Sequence, residues 1–302
     1  MAVLEVRRVV KQYEGTLAVD HISFSAEEGR IFGLLGPNGA GKTSTIRMIT
    51  YITVPDSGEI LLRGQRVGAW SQAKMGYMPE ERGLYKKMRI GEQLEYFAML
   101  KGLGREEARK NIRYWMERFD AADWGNKKTE ELSKGMQQKI QFISTIAHDP
   151  ELIILDEPFS GLDPINAELL REVILELKSK GKTILFASHR MEQVEQMCDD
   201  IGLIAHGKAL LTGELRAIKR SFGRENVVLE FEGDDRFVDE LRTKGLHAKV
   251  RTKNRAEWQV SDGTQAQQIL QTAILHAQVI RFDWEEPSLN DIFIKTVEQT
   301  TV

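Results

Sequence analysis

Residues 30–50, RIFGLLGPNGAGKTSTIRMIT, leave this chain few folds to choose from. A short apolar run ends at Gly36, a glycine-rich turn follows, and from Thr43 the pattern becomes helical. Gly36, Gly41, Lys42 and Thr43 match G-x-x-x-x-G-K-[ST], a turn whose backbone N–H groups, with the helix dipole behind them, surround a phosphate with positive partial charge. Such a turn needs a strand on one side and a helix on the other, which predicts an α/β fold on a parallel sheet. In that setting Lys42 reaches the β- and γ-phosphates of a nucleotide and the Thr43 hydroxyl ligates Mg²⁺.

The rest of the chain fits this frame. At 302 residues it is too long for one small core and reads as a large domain followed by a small one. Residues 3–10 and 21–29 read as strands, and 59–67 as a strand leading into a loop. From about residue 90 to 146 the pattern is helical, with Leu94, Phe97, Met99 and Leu100 on one face and Ile112, Trp115, Met116 and Phe119 on another. Residues 152–155 and 183–187 are continuous apolar runs, as expected of strands covered on both faces, and 167–181 between them predicts an amphipathic helix closed by glycine. Residues 201–213 predict a hairpin turning at His206-Gly207. The polar stretch SFGRENV, 221–227, breaks the pattern and separates a domain 1–220 from a domain 225–302. Beyond it a β-α-β-β-α-β order predicts a small ferredoxin-like α+β unit. A last helix follows, with Pro287 at its start and Ser288 as candidate cap.

Hydrophobic residues make up 41% and charged residues 29%, enough to bury a core and stay in solution. A net charge of −3 gives no support for non-specific binding of nucleic acid, and none is expected as a partner. Cys198 is the single cysteine, which excludes an internal disulfide and suits a reducing compartment. No run of about 18 apolar residues occurs, and residues 1–10 alternate like a strand rather than reading as a secretory leader. The expectation is a cytoplasmic protein that meets a membrane only through a partner.

Further strand ends carry chemistry. Asp156 and Glu157 follow an apolar strand at its C-terminal end, where ligands bind in such sheets. Asp156 is expected to hold Mg²⁺, directly or through water, and Glu157 to orient the attacking water as general base. His189 ends another strand, from which it could hydrogen-bond a γ-phosphate; the alternative is an ordinary surface histidine. His21, His148, His206, His247 and His276 receive only the ordinary reading. Tyr13, in the loop-like KQYEG, offers a ring for stacking on adenine, against the alternative of a half-exposed strand tyrosine. LSKGM, 132–136, places a Ser-x-Gly turn at the start of a polar helix. Ser133 and the N–H groups around Gly135 form a second anion site that the chain's own phosphate loop can hardly reach, so two chains are expected to share one nucleotide.

In this order the motifs resemble the nucleotide-binding subunit of an ATP-binding cassette (ABC) transporter. The resemblance covers residues 1 to about 220 and implies a P-loop NTPase fold with a helical subdomain at about 86–146. It implies ATP contacts at Tyr13, Gly36, Pro37, Asn38, Gly39, Ala40, Gly41, Lys42, Thr43 and Ser44, with Ser133, Gly135 and Asp163 also at the nucleotide. Mg²⁺ then falls to Thr43 and Asp156, and catalysis to Lys42, Glu157 and His189. It further implies a homodimer closed head to tail around two ATP, an integral-membrane permease as partner, and a place on the cytoplasmic face of the cell membrane. Residues 225–302, with PSLNDIF, resemble the extension on ATPases of bacterial drug, antibiotic and sodium exporters. Two departures stand out. Lys134 and Met136 replace residues of the usual LSGGQ, and Glu80 stands where the family has glutamine. A carboxylate is a hard oxygen donor, so Glu80 joins the expected Mg²⁺ set. A soluble ABC ATPase of repair or translation fits less well, since the chain has one phosphate loop and no sustained heptads. A module with a dead site is opposed by the presence of Lys42, Asp156, Glu157 and His189.

Overall fold

The computed structural model describes residues 1–223 and 225–300. The chain divides between Gly213 and Glu214 into two compact units.

The first unit runs β1 (Ala2–Tyr13), β2 (Thr16–Glu27), β3 (Ile31–Leu35), α1 (Lys42–Ile49), β4 (Ser57–Leu62), β5 (Gln65–Arg66) and β6 (Met75–Met78). It continues through α2 (Ile90–Leu100), α3 (Arg105–Arg118), α4 (Lys134–Ile146), β7 (Leu152–Asp156), α5 (Pro164–Ser179), β8 (Thr183–Ser188), α6 (Met191–Met197), β9 (Asp200–Ala205) and β10 (Lys208–Glu214). A six-stranded sheet has the order β10-β9-β3-β8-β7-β6, with β9, β3, β8, β7 and β6 paired in parallel. A four-stranded antiparallel sheet, β2-β1-β4-β5, accompanies it. Every residue of β3, β7 and β8 is buried, which is why these strands read as unbroken apolar runs. One core joins the two sheets and α1, holding Val6, Ile22, Phe24, Phe32, Ile46 and Ile154, with the Phe24 and Phe32 rings stacked at 4.7 Å.

Register places the chemistry. Leu35 lies opposite Ser188, Asp156 opposite Ala187, and Met78 opposite Leu155. The loops after β3, β6, β7 and β8 therefore leave the sheet along one edge, the C-terminal edge where open parallel sheets bind ligands.

Helices α2, α3 and α4 form the helical region. Ile112, Trp115, Met116 and Phe119 are buried, and Phe119 meets Phe142 of α4 edge-on at 5.7 Å. The expected α2 face is only partly correct. Leu94 is buried, but Met99 and Leu100 are exposed, because the buried side of α2 runs through Gln93, Leu94 and Ala98. Phe97 turns to the rings of Tyr85 and Tyr96 at 5.8 and 5.7 Å, so this end of the helix carries an aromatic surface.

The second unit contains α7 (Leu215–Ser221), β11 (Asn226–Gly233), α8 (Arg236–Thr243), β12 (Ala248–Arg251), β13 (Arg255–Gln259), α9 (Gly263–His276), β14 (Ala277–Glu285) and α10 (Leu289–Thr300). Its sheet, β12-β13-β11-β14, is antiparallel throughout, and the order of elements from β11 to β14 is β-α-β-β-α-β. Val227, Leu229 and Phe231 alternate inward along β11 and meet Phe237, Trp258 and Ile269. Ser288 Oγ accepts from the Asp291 N–H as α10 begins. Among the described residues, no helix is long and apolar enough to cross a membrane.

Candidate functional site

The turn between β3 and α1 is shaped by two close backbone approaches. Gly36 has φ 152°, and a Cβ there would lie 2.1 Å from the Ile204 carbonyl oxygen. Gly41 has φ 108°, and its Cβ would lie 2.4 Å from the Ala18 carbonyl oxygen. Only glycine fits either position. The resulting cavity, about 260 Å³, is lined by Ala18, Asn38 to Ser44, Glu80, Asp156 and Glu157. The Lys42 ammonium folds back to donate to the Gly36 and Pro37 carbonyls at 2.7 and 3.1 Å. Burial lowers its pKa, while the charges of Glu157, Asp156 and Glu80 pull the other way. An incoming phosphate would replace two neutral acceptors with a charged one, a stronger partner for an ammonium.

Three oxygen donors converge beside it. The Thr43 hydroxyl donates to Asp156 Oδ2 at 3.3 Å, and Glu80 lines the same cavity. Burial, the largest influence, together with the charges of Glu157 and Glu80 pushes the Asp156 carboxyl up to about 6, against the pull of Thr43 and Lys42. A site that crowds carboxylates at this cost fits a hard divalent cation, which would relieve it. Among the described residues no group of three or more His, Cys, Asp or Glu side chains is placed to hold a metal ion by itself; Mg²⁺ in nucleotide sites draws waters and substrate phosphates among its ligands.

Glu157 sits just past β7 with φ 49°, an uncommon conformation for a non-glycine residue. Its carboxylate is fully engaged. Ser188 Oγ donates to Oε2 at 3.0 Å, the His189 N–H donates to Oε1 at 2.7 Å, and His189 Nδ1 lies 2.6 Å from Oε1. Parallel pairing of β7 with β8 brings these residues together, and the hydroxyl of Ser188 is a contributor that motif reading missed.

The remaining expected residues lie outside the cavity lining. Tyr13 closes β1 rather than standing in a loop; it is 36% exposed, with Lys11 Nζ 5.6 Å from its ring centroid. It belongs to the β1–β2 hairpin that supplies Ala18 to the cavity. Ser133 caps α4, accepting from the Met136 N–H at 3.3 Å, and is exposed. A Cβ on Gly135 would meet only Leu162 Cδ2, at 3.8 Å. Asp163 caps α5, accepting from the Asn166 N–H at 3.0 Å and from the Asn166 side-chain amide, contacts that hold its pKa down. Two buried glutamines of α4, Gln138 and Gln141, were also missed; they reach the backbone on either side of the site, and their long-range side-chain contacts leave no motif.

With this geometry in view, comparison with known proteins is direct. Residues 19–160 match the ABC transporter family, and residues 213–297 match the C-terminal domain of DrrA1-3-like ATP-binding proteins. The ABC transporter ATP-binding protein YhaQ of Bacillus subtilis is 46% identical over 97% of this chain and 98% of its own length. The linearmycin resistance ATP-binding protein LnrL of the same organism is 31% identical over 98% of this chain and 99% of its own. A solved ATP-binding subunit of an ABC transporter superposes with a TM-score of 0.69 at 32% identity, covering 73% of this chain and 93% of that one. This chain belongs to the ATP-binding proteins of ABC transporters, and it is an ATPase.

Proposed function

We propose that two copies of this chain close head to tail around two ATP and drive export through a separate integral-membrane permease, from the cytoplasmic face of the membrane. The observation that carries this reading is the position of the LSKGM turn. Ser133 is exposed at the N-terminus of a 13-residue helix, outside the lining of the chain's own phosphate cavity. A helix N-terminus attracts anions, and in this reading the phosphate that fills it belongs to another chain. Gly135 supports this, since nothing within its own chain requires glycine there.

In this reading Lys42 and the N–H groups of residues 38–44 hold the β- and γ-phosphates. Thr43, Asp156 and Glu80 would hold Mg²⁺, which when bound neutralises charge on those phosphates. Glu157, kept in place by Ser188 and the His189 N–H, takes the proton of the attacking water as the bond to the γ-phosphate forms and the bond to ADP breaks. With Nδ1 of His189 donating to Glu157, a protonated ring would also donate from Nε2 to the γ-phosphate. Tyr13 stacks on the adenine ring, and Asp163 approaches the interface from the start of α5. Loss of the γ-phosphate removes the link between the copies, a two-state element able to move a partner.

Exposed Tyr85 and Tyr96 line an open groove of about 820 Å³ with Lys86, Lys87, Met88 and Glu92, which supports a protein partner at the helical region. The similarity to LnrL, a linearmycin resistance ATP-binding protein, supports outward transport. Residues 1–220 supply the ATPase and 225–302 an accessory domain. Expression of the chain with candidate permeases, followed by ATPase assay in membranes, tests the reading: a specific membrane protein should co-purify and raise turnover. Full, unresponsive turnover with no membrane protein retained contradicts it.

A further inference from the structure

We propose that Gln138 and Gln141 are positioning residues that fasten the loops carrying Glu157 and Glu80 to helix α4. Three residues apart, they lie on one face of that helix, and each is only 3% exposed. Gln138 Nε2 donates to the Pro158 carbonyl at 2.9 Å, one residue past Glu157. Gln141 Nε2 donates to the Pro79 carbonyl at 2.8 Å and to the Glu81 carbonyl at 3.3 Å, so it holds Glu80 from both sides. Gln141 Oε1 is buried with no hydrogen-bond partner, so this amide is anchored through its nitrogen alone. Pro79 and Pro158 have no N–H of their own, and their carbonyls are the backbone handles that remain.

The arrangement makes the two outer carboxylates of the site depend on one helix. That helix begins at Ser133, so a shift at its N-terminal end reaches Glu80 through Gln141 and Glu157 through Gln138. A helix is stiff enough along its axis to carry such a shift, and the two amides are the points where it is handed on. The inference rests on the reading above that Glu80 and Glu157 belong to the ATP and Mg²⁺ site.

The test replaces Gln141 with methionine, which keeps the volume and deletes both donated hydrogen bonds. Mn²⁺ is titrated by electron paramagnetic resonance into the purified full chain with a non-hydrolysable ATP analogue. Gln141→Met should weaken Mn²⁺ about tenfold, as loss of an outer-sphere partner does, with affinity for the analogue in EDTA unchanged. Glu80→Ala should weaken Mn²⁺ at least as much, and the double variant no more than Glu80→Ala alone. Gln138→Met should lower kcat with Mn²⁺ affinity unchanged. If Glu80→Ala weakens Mn²⁺ and Gln141→Met does not, or if their effects multiply, the positioning role is overturned. If Glu80→Ala itself has no effect, the metal role of Glu80 falls, and the positioning role with it. Should the methionine variant fail to fold, Gln141→Asn, which withdraws the amide without removing it, is read by the same titration and the same criteria.

Discussion

Two helix N-termini in this chain offer N–H groups beside glycine and a hydroxyl, and they are finished to different degrees. At α1 the fold dictates every feature: Gly36 and Gly41 have left-handed φ and no room for a side chain, and Lys42 is buried against its own loop. At α4 the hydroxyl of Ser133 caps its own helix, its surface is exposed, and Gly135 has ordinary space around it. Packing inside one chain accounts for the first end and leaves the second open. The difference is what the proposed second copy would account for.

The sharpest way to join the two ends is Glu157→Gln. Loss of the general base should lower kcat by about 10²–10⁴ while ATP binding stays within about twofold of the parent, and the variant should sediment as a dimer with ATP and Mg²⁺. A variant that binds ATP yet stays monomeric would leave the α4 end without its proposed ligand.

Glycine replacement separates the ends by stability. Gly36→Ala forces a Cβ into the Ile204 carbonyl and should cost about 2–4 kcal/mol in urea unfolding. Gly135→Ala should change stability by no more than about 1 kcal/mol, since alanine favours a helix and meets only Leu162, and still lower turnover. Equal losses at both positions would erase the contrast.

The α1 side also carries a proton-linked cost. The folded chain holds the Asp156 proton more tightly than an unfolded chain does, with a pKa of about 6 against an ordinary carboxyl value of 3.8. Its carboxylate therefore costs nothing below the lower value, opposes folding increasingly as pH rises between the two, and exacts the full penalty above about 6. Asp156→Asn should stabilise the nucleotide-free chain at pH 7 by on the order of 2 kcal/mol, with the gain fading as pH falls from about 6 and gone below about 4. A gain that does not change with pH would place the effect elsewhere.

Ser188→Ala should have the smallest effect. Removing one of the donors to Glu157 should lower kcat by about fivefold with KM for ATP unchanged, measured by phosphate release. A change in KM alone would mean that Ser188 serves binding rather than the orientation of Glu157.

Much of this site is legible in the chain because it is local. The phosphate turn, the Asp156-Glu157 pair and the β-α-β-β-α-β order each sit within a short window whose periodicity or turn chemistry is decisive. Parallel pairing then converts separate strand ends into one edge. What stays hidden is tertiary: Ser188 reaches Glu157 only through the β7–β8 register, and Gln138 and Gln141 bond backbone carbonyls far along the chain. Met99 and Leu100 show the opposite failure. Their spacing suits a core face, but α2 turns Gln93 and Ala98 inward instead, leaving them exposed. KQYEG resembles a loop because of Glu14-Gly15, yet Tyr13 closes a long strand.

The central claim is that α4 completes a site held by another copy, and mixing two inactive variants tests it most directly. Lys42→Ala disables the phosphate loop, and Gly135→Trp blocks the α4 end. A dimer of one with the other retains one site with an intact loop from the Gly135→Trp copy and an intact α4 end from the Lys42→Ala copy. The account predicts that each variant alone hydrolyses ATP at background and that the mixture recovers a measurable fraction of parent turnover. A mixture as inactive as its components, with mixed dimers verified by differential tags, would contradict it.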